Sequence, residues 1–299
     1  MTSMLTVQTA LTVQTALTVQ TALTVQTASP ATVLRPFIRA YVQREARPGL
    51  EQLVEPVIAR LGVMLEFDFE GAYEVRKYGS EALDEAFPIC IIGPQTWRRA
   101  RLIIRGHVES LVVMFQPAGF HVLFGTPTAP LSEAGTEGHS VLGRPVSELH
   151  EQLGNVRTFA QRVELLDRYF LQRFDDRMTL DPVYKALNVL MRPGPQIRVD
   201  EVARHMGANR RYLERKALEY SGVTPKLLSR ISRFSRALRL RTGALESWTQ
   251  IAQSAGYHDH MHMIRDFRQF AGGAPTSAVQ EIAPDHLIHF AHGATSGSD

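Results

Sequence analysis

Apolar residues are spaced in three ways along this chain of 299 residues, and each spacing predicts a different structure. Residues 5 to 28 are four verbatim copies of Leu-Thr-Val-Gln-Thr-Ala. Six residues advance a helix by about 600°, so successive leucines fall about 240° apart and no constant apolar face forms. A strand keeps one face at period six, and Val and Thr suit strands, but the tract has no turns with which to stack its copies. Residues 1–33 are therefore expected to form a low-complexity extension with no required function. From Leu34 onward, short apolar runs punctuated by Gly and Pro take over: Gly62-Val-Met-Leu-Glu-Phe-Asp-Phe, Phe87-Pro-Ile-Cys-Ile-Ile-Gly-Pro, Arg101-Leu-Ile-Ile-Arg-Gly, Ser110-Leu-Val-Val-Met-Phe-Gln-Pro and Gly119-Phe-His-Val-Leu-Phe-Gly. Their length, punctuation and Ile, Val and Phe content predict strands, and their number predicts a small barrel or sandwich. Leu149, Leu153, Val156, Phe159, Val163, Leu166, Tyr169 and Phe170 then recur at steps of three and four, which predicts one or two helices packed on the strands. After Asp181 the pattern is helical in short pieces, stopped by Pro193-Gly194-Pro195, Gly207, Gly222, Gly256 and Gly272-Gly273.

The charge changes where the pattern does. Residues 1–178 carry 17 Lys and Arg against 19 Asp and Glu, or −2, and residues 179–283 carry 16 against 9, or +7. The basicity is confined to the C-terminal third. With 44% apolar residues the chain can bury a core, which excludes a wholly disordered protein. The single cysteine, Cys90, excludes a disulfide framework, a structural zinc finger and a redox pair, and the chain reads as cytoplasmic. Arg105, His107 and Glu109 interrupt the richest apolar stretch, and residues 1–34 lack the basic start and apolar core of a secretory signal, so no membrane association is expected. A β-rich half before a helical half is an α+β class with segregated elements. The expected division is an extension at 1–33, a β-barrel or sandwich with packed helices at 34–178, an all-α domain at 179–283 and a flexible tail at 284–299.

Within the basic third, Val199 to Met206, the turn Gly207-Ala-Asn209 and Arg210 to Tyr220 read as helix, tight turn, helix, with Asn209 as the cap of the second helix. Leu213 and Ala217 face inward at spacing four and leave Arg210, Arg211, Glu214 and Arg215 outward. Such a face suits a major groove, where Arg takes guanine O6 and N7 and a carboxylate accepts from cytosine N4. A second unit has its stripe at Trp248, Ile251, Ala252 and Ala255, its turn at Gly256-Tyr257 and its second helix from His258. Between them Pro225 to Arg241 reads as one long helix with Arg230, Arg233, Arg236 and Arg239 at every third position. Two helix-turn-helix units can address successive major-groove faces about 34 Å apart.

Residues 183 to 283 resemble the DNA-binding domain of AraC/XylS-type transcriptional regulators. The matching residues are Ala203, Gly207, Leu213, Arg215, Gly222, Pro225, Lys226, Arg233 and Ala237, then Ile251-Ala252, Gly256-Tyr257, Asp259, Arg265, Phe267, Gly272 and Pro275. Less specifically, Ile92-Gly-Pro-Gln-Thr-Trp97 and Phe115-Gln-Pro-Ala-Gly119 resemble the β-barrel sensor half of some members. The resemblance implies a sequence-specific regulator that binds double-stranded DNA, with a small-molecule effector or a second copy of the chain as partner of the N-terminal half. By the same resemblance Arg211, Glu214 and Arg215 face bases in the first unit, His260, Met261 and His262 do so in the second, and Arg265 lies on phosphate. Ala217 stands where the family usually has Phe and Lys216 where it usually has an apolar residue, which implies a thinner core that Leu218 is placed to fill in part.

Other chemistry is not expected. His258 and His262 would share a helix face at i and i+4, but no Cys is near and the DNA-facing turn accounts for them, so no metal ligand is assigned. His286, His289 and His292 read as a frayed terminal helix, and His107, His121 and His139 lack close His-x-His spacing. Cys90 lies in an apolar strand and reads as an inert core thiol. With no Gly-rich phosphate loop, Gly-x-Ser-x-Gly or His-Glu-x-x-His, the chain carries no catalytic residue or cofactor by this reading. The competing readings are an architectural DNA-binding protein without an effector and an enzyme domain fused to a DNA-binding module.

Overall fold

The computed structural model describes residues 22–47, 53–71, 73–77, 83–98, 100–192, 197–243 and 247–281. Its strands are β1 (Ala22–Ala28), β2 (Ile38–Arg47), β3 (Leu53–Val57), β4 (Met64–Glu70), β5 (Tyr73–Lys77), β6 (Leu83–Glu85), β7 (Ile89–Ile92), β8 (Ala100–Ile104), β9 (Val108–Phe115) and β10 (Gly135–Glu137). All pairings are antiparallel, in a six-stranded sheet ordered β1-β2-β9-β4-β7-β10 and a four-stranded sheet ordered β3-β8-β5-β6.

The fourth hexapeptide does not lie outside the fold. It forms β1, paired with β2 from Leu23↔Ala46 to Ala28↔Tyr41. The edge of β2, not another copy of the repeat, supplies its ladder. A second correction concerns Gly119–Phe124, expected as a strand and found as helix α1. A run of six residues is too short for periodicity to distinguish the two. Phe120 and Phe124, four apart, both turn onto Phe115, at ring centroid distances of 5.3 and 6.1 Å.

Helices α2 (Gly138–Leu142), α3 (Arg144–Asn155) and α4 (Phe159–Leu171) complete the N-terminal half. Thr158 and Gln161 form a reciprocal capping box that starts α4. Leu65, Phe67, Leu111, Val113 and Phe115 on one face of the large sheet are buried in one cluster with Val146, Leu149, Leu153, Leu166 and Phe170 of these helices. The opposite face carries Ala40, Val42, Val112 and Met114, and charge as well. Arg44 of β2 reaches Glu55 of β3 at 3.0 Å, which ties the two sheets, and Glu66 and Asp68 are buried nearby. Burial, and then the charge of Glu66, push the Asp68 carboxyl up to about 9.

The C-terminal half is helical: α5 (Pro182–Met191), α6 (Val199–His205), α7 (Arg210–Ser221), α8 (Pro225–Gly243), α9 (Trp248–Ser254), α10 (His260–Ala271) and α11 (Pro275–Glu281). The helices begin well before residue 178, with α1 at Gly119, and the packing does not divide there. Leu187, Leu213, Ala217 and Leu228 belong to the same buried cluster as Phe37, Phe115 and Phe170. Tyr184 packs on Phe37 at 5.4 Å and donates its hydroxyl to the Pro36 carbonyl at 2.7 Å. A second cluster, around Phe234, Phe267 and Phe270, takes in Ile58 and Ala59 from the N-terminal half. Among the described residues no helix is long and apolar enough to cross a membrane.

Candidate nucleic-acid interface

Each unit is a short helix, a glycine turn and a longer helix whose start is capped by its own sequence. In the first, the chain reverses through Gly207 at φ +70°, a backbone conformation that side chains other than glycine rarely adopt. Ala208 donates its N–H back to the Ala203 carbonyl at 2.9 Å. Asn209 then accepts the N–H of Tyr212 at 2.9 Å, which satisfies a donor that the first turn of α7 leaves open. The second unit repeats the device. Gly256 sits at φ +86°, Tyr257 donates to the Ala252 carbonyl at 2.9 Å, and Asp259 accepts the N–H of His262 at 2.8 Å. That bond holds the Asp259 carboxyl below the usual carboxylate range.

Leu213 and Ala217 are fully buried, and Arg210, Arg211 and Arg215 are exposed. Arg210 is partly engaged, paired with Glu214 at 2.8 Å and 3.7 Å from Asp200. Glu214 therefore meets a base only if this surface pair opens, which costs little. Arg215 lies over the Tyr212 ring at 5.6 Å. On α10, Met261 is 55% exposed, Arg265 is exposed, His260 is half-buried and His262 pairs with Asp259 at 2.8 Å. One donor atom each from His258, Asp259 and His262 lie within 4.8 Å of one another, all in solvent. Their number would suit a cation, but Asp259 spends one oxygen on the helix cap and the other on His262.

The arginines of α8 turn inward. Arg230 donates to Asp266 at 2.6 Å and to Gln269 at 2.7 Å, and Arg236 donates to the carbonyls of Ala255 and Met191. Arg233 lies over the Tyr257 ring at 5.4 Å, and burial lowers the pKa of Arg233, Arg236 and Arg239. Much of the local excess of positive charge thus ties the two units together instead of facing outward. Leu218 does not fill the space beside Ala217, because it is 38% exposed and Lys216 pairs with Glu219 at 2.8 Å. The N-terminal half packs there instead, with His121 of α1 against Tyr220 at 4.0 Å. Arg204 on α6 and Lys226 at the start of α8 are further exposed cations outside the second helices.

Residues 202–281 match a family described as a helix-turn-helix domain, and residues 26–137 match a domain of unknown function, DUF6597. No curated protein matches the chain. Among solved structures, ToxT from Vibrio cholerae O395 is similar at a TM-score of 0.45 and 14% identity, over 82% of this chain and 98% of that one. Unsaturated fatty acid-bound ToxT from Vibrio cholerae strain SCE256 is similar at 0.47 and 13%, over 81% and 96%. The AraC-like transcriptional activator CuxR follows at 0.30 and 13%, over 71% and 79%. The two capped and exposed second helices lie inside the matched residues, so the C-terminal part of this chain is a helix-turn-helix domain.

Proposed function

We propose that the chain reads DNA with α7 and α10 in successive major-groove faces of one duplex, under the control of a small polar molecule bound between the sheets of its N-terminal half. The observation that carries this reading is the repeated glycine turn and side-chain cap, each followed by an exposed first turn rich in Arg, His and Met. Arg211 and Arg215 are the base-reading cations of α7, with Arg210 and Glu214 available when their pair opens. His260, Met261 and His262 occupy the corresponding turn of α10, and Arg265 meets phosphate. Contacts to phosphate supply most of the affinity and these side chains the sequence preference.

Unfinished polar pairing supports the effector part. Both carboxyl oxygens of Asp68 and one terminal nitrogen of Arg60 are buried without a hydrogen-bond partner among the described residues. Asp68 and Arg60 are each within electrostatic reach of Glu66 and Cys90. Buried polar groups are nearly always paired, and these unpaired atoms support a polar ligand or ordered water there. Footprinting the DNA that flanks its own gene tests the reading. Two protected patches about one helical turn apart are expected, and no protected site overturns it.

A further inference from the structure

Helices α7 and α10 end in the same way and on the same support. Gly222 and Gly272 close them in the left-handed conformation, at φ +71° and +80°. The last carbonyls of any helix lack partners within it. Here many of those partners come from the N-terminal half. Thr128 donates its N–H to the Glu219 carbonyl at 2.8 Å and its hydroxyl to the Tyr220 carbonyl at 3.0 Å, and Ser132 donates its hydroxyl to the Gly222 carbonyl at 2.9 Å. For α10, Ala59 donates its N–H to Phe270 at 2.9 Å, and Arg98 donates its N–H to Gln269 at 3.4 Å and its guanidinium to Ala271 at 3.1 Å. Arg98 also pairs with Glu281 of α11 at 2.7 Å. Both contacts are close. A Cβ on Gly222 would come within 2.4 Å of the Ser132 hydroxyl, and one on Gly272 within 2.5 Å of the Arg98 side chain.

The donors form one body. Gly93 donates to the Ala134 carbonyl and Glu133 to the Pro94 carbonyl, each at 3.0 Å, and the Glu133 carboxyl takes the Thr96 N–H at 2.6 Å. Arg60 and Gln95 exchange backbone bonds at 2.8 and 3.0 Å, which joins Ala59 to the same body. Glu133 itself sits at φ +62°, alone among the described non-glycine residues in having a positive φ. Such a conformation persists only where the surroundings over-determine it. This support holds the C-terminal ends of both second helices, opposite to their exposed first turns, so it can stay in place while DNA is bound.

We propose that Thr128, Ser132 and Arg98 are positioning residues for DNA reading: the platform of residues 93–98 and 128–133 grips the C-terminal ends of both reading helices and sets the distance and angle between them. The proposal rests on the assignment of α7 and α10 as the reading helices. Helix α8 joins the two units on one side, through Arg230 and Asp266, and the platform joins them on the other. A protein built in this way should demand a fixed spacing between its two DNA subsites.

The test uses the full chain. Sites are selected from a random duplex pool with the wild-type protein, and duplexes with five base pairs inserted between the two subsites are then compared. The wild type should lose roughly thirty-fold in affinity on insertion, because half a helical turn puts one subsite on the wrong face. Thr128→Val and Arg98→Ala should reduce that penalty to about fivefold or less, whereas Thr128→Ser and Arg98→Lys should retain most of it. Nitroxide labels on Arg204→Cys and Gln253→Cys give a readout independent of DNA, a distance distribution that should broaden in Thr128→Val and Arg98→Ala. If Arg98→Ala fails to fold, Thr128→Val, which removes one hydroxyl, carries the test. An unchanged spacing penalty and distance distribution in folded variants overturns the platform. A wild type that selects one undivided subsite overturns the two-helix reading itself.

Discussion

Burial between the sheets, with Glu66 beside it, keeps the Asp68 carboxyl protonated to about pH 9, against about 3.9 for an unfolded Asp. Between these values the native chain holds a proton that the unfolded chain has released. Stability is therefore full below about pH 4 and falls as pH rises, by up to about 1.4 kcal/mol per unit, until the native group also ionises. Asp68→Asn removes this slope. Denaturant unfolding of both proteins from pH 5 to 8.5 should show the variant gaining steadily on the wild type, and parallel curves would mean that Arg44 keeps Asp68 ionised. At the DNA surface the contrast is between arginines. Arg211→Ala and Arg215→Ala should each cost about 1–3 kcal/mol on a selected site and far less on random duplex, since a guanidinium spanning guanine O6 and N7 reads sequence. Arg265→Ala should weaken both duplexes by similar factors and reduce the salt slope by about one. Affinities on both duplexes across a salt series decide it: if neither α7 variant changes the ratio of selected to random binding, α7 does not read bases.

Among the elements, strand β1 gives the fourth copy of the hexapeptide a place in the large sheet. Val25 packs against the Ala40, Val42, Val112 and Met114 cluster, so the fourth copy adds buried surface as well as a ladder. Deleting residues 5–22 should leave the melting temperature unchanged, whereas deleting 5–28 should uncover the edge of β2 and lower it by several degrees, at about 2–4 °C per kcal/mol for a chain of this size. Equal melting of the two deletions would show that β1 adds nothing. Many elements were legible because their signals are local: the runs at 62–69, 87–94, 101–106 and 110–117 overlap β4, β7, β8 and β9, and Gly207, Asn209 and Gly256 mark the turns. What escaped depends on partners far along the chain. The copies of the hexapeptide are identical, and nothing within the fourth shows that the edge of β2 pairs with it. Helix α1 is too short for its period to show. The α8 arginines are indistinguishable from a DNA-facing row until Asp266 and Tyr257 are seen to meet them. Thr128, Ser132 and Arg98 carry no motif, because their role exists only where residues about 90 to 170 positions apart are brought together.

For the whole chain, the change of charge near residue 178 and the packing give different expectations for a fragment spanning 179–299. The charge shift and the self-contained caps of α7 and α10 favour independent folding. Against this, Leu187, Leu213, Ala217 and Leu228 share their cluster with the N-terminal half, and Ile58 and Ala59 fill part of the second. The fragment would also release the six carbonyl contacts made by Ala59, Arg98, Thr128 and Ser132, each worth about 1 kcal/mol at most once water replaces the donor. Phe234, Phe267 and Phe270 pack on one another within the fragment, at 4.9 to 5.4 Å, and Arg230 to Asp266 stays intact, so the second unit keeps its own core. The first unit loses the larger share, since α1 and residues 128–132 pack on α7. The expected outcome is a fragment that is helical by circular dichroism, melts about 10 °C or more below the full chain, and shows the lost protection in α6 and α7 before α9 and α10 by hydrogen exchange. It should still bind random duplex, because Arg211, Arg215 and Arg265 remain. Melting at the temperature of the full chain, or uniform protection across both units, would mean that the shared cluster contributes nothing and that residue 178 is an energetic boundary as well as a compositional one.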